Sequence, residues 1–255
     1  MKFPIFGTVV RGGWLALAIF LAGLLVTVFA ANYAKTGAER DSKREFESIC
    51  KDVESKIASR LEAHEQILRS GAAFFAGYEV TREDWTKFYR RQKISQKLPG
   101  IQGLGFALLV PGSQLAEHIR KIRAGGFPDF RVWPEGERDL CSSSIFLEPF
   151  SGRNLRAFGY DMLTEPVRRA AMERARDQDA AVLSGKVTLV QETDQDIQAG
   201  TVMFVPVYRI DKPQETVAER RAALLGWVYS PYRMTDLMTG ILGRWNLSDR
   251  WRIHL

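Results

Sequence analysis

Cysteine and histidine are scarce in this chain of 255 residues, and the few that occur are not spaced as metal ligands or redox pairs. Cys50 and Cys141 form no CxxC motif, and His64, His118 and His254 form no HxH or HExxH motif. We therefore predict no metal site, no bound cofactor and two unpaired thiols. An oxidising compartment would permit a disulfide between the two cysteines, but nothing in their surroundings indicates one.

Motifs of common catalytic chemistry are also lacking. There is no GxSxG nucleophile elbow and no P-loop, and the glycines of residues 100–105 (GIQGLG) stand in the wrong order for a dinucleotide fingerprint. That run also leads into a predicted strand instead of following one. Asp194 and Asp196 lie in a polar loop and are expected to be solvated. The chain is therefore predicted not to be an enzyme.

Positive charge is in excess, but it is confined to two short segments. The 36 Lys and Arg residues against 30 Asp and Glu residues give a net charge of +6. Lys2 and Arg11 lie near the N-terminus, and residues 82–97 carry the rest of the excess. A nucleic-acid-binding face would spread its bases and interleave exposed aromatics, so no nucleic-acid partner is predicted. For residues 82–97 a solvated helix face is favoured over a surface for an acidic partner.

Charge is absent altogether from residues 12–34. As a helix rising about 1.5 Å per residue, this segment is longer than the roughly 30 Å of hydrocarbon in a bilayer, which predicts a transmembrane anchor. A cleaved signal peptide is the alternative, although its apolar core is usually only about 7–15 residues long. Lys2 and Arg11 favour a cytoplasmic N-terminus at residues 1–11, which would place the rest of the chain outside the cytoplasm.

Proline is absent between Pro4 and Pro99, and residues 35–72 are predicted to form one long stalk helix. Apolar residues recur on it at three- and four-residue steps and form a single narrow stripe: Phe46, Ile49, Val53, Ile57, Leu61 and Leu68. Such a stripe packs either on the helix's own domain or on a second copy of the chain. A homodimer through the stalk is predicted, with packing on the domain as the open alternative.

The rest of the sequence alternates helical and extended patterns, which predicts an α+β fold. Helices are predicted at residues 81–97, with a Thr81/Asp84 capping box, at 113–123, at 164–177, with Thr164 as cap, and at 233–242. Strands are predicted at residues 101–110, 127–133, 144–150, 186–192, 201–208 and 224–230, the last three as an antiparallel meander. Residues 251–255 alternate like the start of a strand, so the sequence is expected to be the N-terminal part of a longer protein.

One carboxylate interrupts an otherwise apolar run. Asp161 follows the apolar residues 157–160 and precedes Met162 and Leu163. Burying a carboxylate without a partner costs several kcal/mol, so Asp161 needs one. Backbone N–H groups at a nearby helix N-terminus are one candidate and the N–H groups of a ligand are the other. The residues alone favour the helix N-terminus.

Several short sequence motifs follow one another along the chain in a characteristic order. They are residues 98–106 (LPGIQGLGF), Glu148-Pro149 with Asn154, Gly159-Tyr160-Asp161, Glu165-Pro166 with Arg168, Ala175-Arg176-Asp177, residues 189–192 (LVQE) and Pro206-Val207-Tyr208. Over roughly residues 70–245 this set resembles the CHASE sensory domain of bacterial sensor kinases, bacterial cyclic-dinucleotide enzymes and plant cytokinin receptors.

The resemblance implies both a fold and a ligand pocket. In that fold a transmembrane helix and a stalk helix precede a sensory domain, here residues 73–255, made of two PAS-like lobes with antiparallel sheets. The pocket would hold a small ligand, with Asp161 receiving its N–H groups and Leu183 and Thr193 at the matching apolar and hydroxyl positions. The surroundings of Asp161 and the loop at residues 194–198 depart from the plant pattern, which argues against cytokinin itself.

Together these features predict the periplasmic ligand-sensing part of a receptor in the bacterial inner membrane. It would relay the binding of a small molecule through the stalk to a cytoplasmic histidine kinase or diguanylate cyclase outside this sequence. The alternative is a membrane-anchored scaffold protein without a ligand switch.

Overall fold

The computed structural model describes residues 6–77, 79–94, 100–193 and 197–243, with side chains from residue 14 onwards. The chain divides into two compact units, residues 1–55 and residues 56–255. The predicted strand at residues 251–255 lies outside the described residues.

The first unit consists of the N-terminal part of α1, a continuous helix from Phe6 to Gly77. This helix contains both the uncharged segment 12–34 and the predicted stalk 35–72. Its apolar part includes an 18-residue window of mean hydropathy 2.5, none of which is buried. By length and composition α1 is therefore able to cross a membrane. Cys50, on the same helix, is an exposed free thiol.

The second unit combines the end of α1 with the remaining helices and five strands. The helices are α2 (Arg82–Gln92), α3 (Leu115–Ala124), α4 (Pro166–Gln178), α5 (Val217–Ala223) and α6 (Met234–Leu242). The strands are β1 (Leu104–Pro111), β2 (Leu140–Glu148), β3 (Val182–Leu183), β4 (Gly200–Tyr208) and β5 (Leu224–Arg233). Short 3-10 helices span Gly112–Gln114, Gly152–Ala157 and Met162–Thr164. The α+β class is thereby confirmed.

All five strands join one antiparallel sheet in the order β2-β1-β5-β4-β3. Two lobes with separate sheets were expected, but the described residues form a single sheet. The reason lies in the pairing of β1, from the first half of the chain, with β5, for example at Gly105 and Tyr229. That pairing places strands of both halves side by side. The predicted antiparallel meander is present as β3, β4 and β5. Its first strand lies at Val182–Leu183, earlier in the chain than the predicted residues 186–192.

The sheet is covered on both faces, and β4 shows this most clearly. Its side chains alternate between two apolar clusters, with Met203, Val205 and Val207 in one and Val202 and Phe204 in the other. The first cluster contains residues of α1 and α2, and we call this side the α1 face. The second contains residues of α4, and we call this side the α4 face. Strands buried on both sides explain why β4 and β5 read as almost continuous apolar runs.

The capping box predicted for α2 is present. The Thr81 hydroxyl oxygen accepts a hydrogen bond from the Asp84 backbone N–H at 3.2 Å, and the Thr81 N–H donates to the Asp84 carboxylate at 3.2 Å. Helix α2 ends at Gln92, because Lys93 adopts a left-handed conformation with φ of 52°. Residues 95–97 of the predicted helix lie outside the described residues.

Removing this cap gives a modest, measurable prediction. Thr81→Ala leaves one helical N–H without an acceptor, so the free energy of unfolding should fall by about 1 kcal/mol in urea titrations followed by tryptophan fluorescence. Thr81→Ser retains the hydroxyl and should stay within about 0.5 kcal/mol of the parent protein. An equal loss in both variants would contradict the capping role.

Three sequence-based element predictions were wrong. Residues 127–133 form turns, with one bridge between Trp133 and Tyr160, because Pro128 cannot donate to a sheet ladder. Residues 186–192 do not form the predicted strand. They make one isolated bridge, between Val187 and Gly200, and the Leu189 carbonyl accepts from the Glu192 N–H in a turn. The cap of α4 is Glu165, whose carboxylate accepts from the N–H groups of the first turn. Thr164 instead donates its hydroxyl to the Asp161 carbonyl at 2.6 Å.

Candidate functional site

An open cleft of about 840 Å³ lies on the surface of the second unit. Three segments form its walls: the loop 126–133, residues 155–158, and residues 188–193 together with Ile197. The members of the described chain that line it are Gly126, Phe127, Pro128, Asp129, Phe130, Arg131, Trp133, Leu155, Arg156, Phe158, Thr188, Leu189, Val190, Glu192, Thr193 and Ile197. Its volume falls in the range of roughly 300–1,000 Å³ that is typical of small-molecule sites.

One wall of the cleft is aromatic. The ring of Phe158 lies 5.1 Å from that of Phe127 and 4.8 Å from that of Phe130, measured between ring centroids. Leu155 and Ile197 extend the apolar lining, with 45% and 65% of their surfaces exposed. Exposed aliphatic side chains beside an aromatic wall favour a ligand with an apolar or aromatic part.

Helix α2 supports this wall through Arg82. Its guanidinium carbon lies 4.6 Å from the ring centre of Phe127 and 5.2 Å from that of Phe158, and it donates to the Ile145 carbonyl at 2.7 Å. The solvated face expected for residues 82–97 therefore does not include Arg82, whereas Arg90 and Arg91 are exposed.

Behind the opposite wall lies a small inner cavity of about 10 Å³, enough for about one water molecule. It is lined by Ser144, Ala157, Tyr160, Met162, Arg168, Leu189, Val190, Gln191, Val202, Tyr229 and Pro231. Leu189 and Val190 line both spaces, so the segment 188–193 separates the cleft from the inner cavity. We call this segment the partition.

Polar groups converge on the inner cavity. The Ser144 and Tyr229 hydroxyl oxygens lie 2.5 Å apart, and burial raises the pKa of Tyr229 to about 12, so its phenol keeps its proton. Arg168 donates to the Thr188 carbonyl at 2.7 Å and thereby fixes the start of the partition. Gln191 is only 3% exposed and lines the inner cavity. A buried amide in this position is suited to bind a polar group.

The other end of the partition is tied to the sheet by a buried ion pair. Arg233, the last residue of β5, donates from Nε to Glu192 Oε1 at 2.8 Å, and both residues are buried. Arg233 also donates to Asp236 in the first turn of α6 at 2.8 Å. The backbone N–H of Gln198 donates to the second oxygen of Glu192 at 3.2 Å. The cleft wall is thus connected directly to the junction of β5 and α6.

Asp161, the first of the predicted ligand contacts, is fully buried behind the aromatic wall. One carboxylate oxygen accepts from Arg138 at 2.6 Å. The other accepts from the Ser142 N–H at 2.8 Å, the Ser142 hydroxyl at 3.0 Å and the Leu163 N–H at 3.1 Å. The Leu163 N–H opens the 3-10 helix Met162–Thr164, so the helix N-terminus expected from the sequence is one of the partners. Arg138 and Ser142 were not foreseen.

The three predicted site residues have different surroundings. Thr193 lines the cleft and is half-buried at the end of the partition. Leu183 lies in β3 and packs partly buried against the cluster of the α1 face. Asp161 lines neither the cleft nor the inner cavity, and its carboxylate accepts hydrogen bonds from groups of its own chain. Whether the three contact one ligand remains a prediction.

Sequence reasoning missed the aromatic wall itself. Phe127, Phe130 and Trp133 were taken for alternating residues of a strand, and Phe158 for part of a core run. Pro128 was the local signal against a strand, because it places a residue without an N–H group inside the segment. Among the residues that the structure describes, no three His, Cys, Asp or Glu side chains are grouped as a metal site.

Comparison with known protein families shows to which family this chain belongs. Residues 78–254 match the family model described as the CHASE domain. The chain belongs to the CHASE domain family. CHASE domains are extracellular sensory domains and not catalytic ones, so this chain has a sensor role. The matched region begins immediately after α1 and includes every strand of the sheet.

Other comparisons are more distant. A search of curated protein sequences gave no match to the CHASE chain. Among solved structures it is similar to the ligand-binding domain of the amino acid chemoreceptor PctC of Pseudomonas aeruginosa PAO1, solved in complex with GABA. The identity is 14% and the TM-score 0.43, over 75% of this chain. The chain spans 65% of the length of that structure.

Proposed function

We propose that this chain is the ligand-binding input part of a membrane-anchored receptor. The observation that carries the proposal is the open cleft, because its volume and aromatic wall suit a small molecule and it lies in a sensory domain. The apolar part of α1 supports the membrane anchor, and its single stripe supports a homodimer through the stalk. Binding would be relayed to a cytoplasmic kinase or diguanylate cyclase domain.

The proposed ligand lies between the aromatic wall and the partition. Its apolar or aromatic part packs against Phe127 and Phe158, and its polar end contacts Thr193. Movement of Leu189 or Val190 would open the inner cavity and bring the ligand within reach of the Gln191 amide. The predicted contact with Asp161 requires Arg138 to leave the carboxylate, and that with Leu183 requires a shift of β3.

Thermal shifts of the full chain in detergent micelles test the cleft. We expect at least one compound from a panel of amino acids, nucleobases and small aromatic acids to raise the melting temperature when in excess. Leu155→Trp places bulk in the cleft at a half-exposed position, so it should abolish that shift. Ile210→Trp is the matched control, since Ile210 is 76% exposed and does not line the cleft; it should leave the shift intact.

Two results would overturn the proposal. A shift that survives Leu155→Trp unchanged places the ligand elsewhere in the domain. The absence of a shift with every compound of a broad panel, in a protein with a sharp melting transition, removes the evidence for a small-molecule receptor.

A further inference from the structure

His64 is a buried titratable group that the proposed ligand site does not use. It lies on α1 within the second unit, has no exposed surface, and both of its ring nitrogens lack a hydrogen-bond partner. Its ring stacks on that of Tyr232 in β5, with centroids 5.3 Å apart and planes inclined by 4°. The contact therefore joins α1 directly to the central strand of the sheet.

Burial without a partner makes a charged ring unfavourable here. Taking the imidazole out of water lowers the pKa of His64 to about 4, and the positive charge of Arg60, one turn earlier on α1, lowers it further. The facing group on β5 is the Tyr232 phenol, whose own pKa burial raises, so it carries no negative charge to offset an imidazolium. Attraction between an imidazolium and the Tyr232 ring would leave two N–H groups without acceptors.

Packing alone does not account for a histidine at this position. The surrounding cluster on the α1 face is apolar and includes Leu68 and Leu61 of the same helix. A phenylalanine or leucine would fill such a contact without burying two unpaired ring nitrogens. An unsatisfied buried group in a native contact calls for a role beyond packing.

We propose that His64 is an acid-sensitive clamp between α1 and the sheet. At neutral pH the uncharged ring packs on Tyr232 and holds the helix against β5. In acid the ring takes up a proton, and the charge drives this turn of α1 away from the sheet towards water. The sensory domain would thus respond to the proton concentration outside the membrane through a contact whose two residues do not line the cleft.

The pH range of the effect follows from the two pKa values. The unfolded chain protonates His64 near its ordinary pKa of 6.5 and the folded chain near 4, so between these values the unfolded state binds more protons. The contribution of His64 to the free energy of unfolding is therefore fully present above about pH 6.5 and falls as the pH drops from 6.5 towards 4. Below pH 4 it changes no further. At pH 5 the unfolding equilibrium constant should be on the order of 30-fold higher than at pH 7.5 through His64 alone.

The test compares the full chain in detergent micelles with its His64→Phe variant. We expect hydrogen exchange of residues 61–72, corrected for intrinsic rates, to be at least 10-fold faster at pH 5 than at pH 7.5 in the parent protein. His64→Phe keeps the ring stack and cannot be protonated, so its exchange in this region should be nearly independent of pH. His64→Leu serves as a second neutral variant should the phenylalanine pack poorly.

His118→Gln is the matched control, because His118 is a partly buried histidine that, unlike His64, has a hydrogen-bond partner, the Ser143 hydroxyl at 2.9 Å. It should keep the acid response of residues 61–72. The same acceleration in His64→Phe and His64→Leu as in the parent would overturn the proposal. So would loss of the response in His118→Gln alone, and neither result would bear on binding in the cleft.

Discussion

Replacing Asp161 with asparagine is expected to lower the free energy of unfolding by about 3 kcal/mol. The carboxylate is buried and accepts four hydrogen bonds, one of them from the Arg138 guanidinium at 2.6 Å. An amide of the same shape has only one acceptor oxygen, so its NH2 group must face a donor. If the amide oxygen keeps the hydrogen bonds from Ser142 and Leu163, the NH2 group faces the Arg138 guanidinium, so that two donors meet without an acceptor. Urea unfolding followed by tryptophan fluorescence measures the loss.

A double-mutant cycle separates the ion pair from the rest of the network. Arg138→Met removes the cation and keeps an apolar stem, and the cost of the double variant Asp161→Asn/Arg138→Met should fall short of the sum of the single costs by about 1–3 kcal/mol. Asp139→Asn, an exposed neighbour, should change stability by less than about 0.5 kcal/mol. Strict additivity would mean that the pair seen between Asp161 and Arg138 does not stabilise the domain.

The second large effect is expected at Gly159, two residues before Asp161. Its backbone has φ of 76°, its N–H donates to the Ser144 carbonyl at 2.9 Å, and its carbonyl accepts from the Trp133 N–H at 3.0 Å. A methyl group there would overlap the carbonyl oxygen of Arg131. Gly159→Ala should therefore cost about 4 kcal/mol, part from the left-handed conformation and part from displacing residues 131–133.

Gly152→Ala is the matched control for this prediction. Gly152 also has a positive φ, 56°, but a methyl group would meet no atom within 4 Å. The control should lose only the conformational part, about 1 kcal/mol. Equal losses at the two glycines, measured by the same urea unfolding, would show that the close approach of Gly159 to Arg131 does not hold the aromatic wall in place.

Elements dominated by local pattern were predictable from the sequence. The apolar runs of β4 and β5, the capping box at Thr81 and Asp84 and the helical character of residues 12–72 were found because each depends on neighbouring residues. Caps with competing partners were harder: Thr164 has the residue type of a cap, yet its hydroxyl is taken by the Asp161 carbonyl. Glu165 then supplies the acceptor for α4.

The candidate site was less predictable because its contacts join distant parts of the chain. Asp161 was identifiable as a buried carboxylate, but Arg138, its partner 23 residues earlier, stands among exposed charged residues that give no sign of the pairing. The ion pair between Glu192 and Arg233 joins residues that are 41 positions apart in the sequence. The pairing of β1 with β5, which makes one sheet where two were expected, likewise depends on the whole fold.

The last two residues of β5 make contacts on opposite faces of the sheet. Tyr232 and Arg233 are consecutive, so their side chains leave the strand on opposite sides. Tyr232 meets His64 of α1, and Arg233 holds Glu192 of the partition. A single peptide unit thereby couples the helix to the cleft wall, and a slide of this strand end displaces both contacts in one motion.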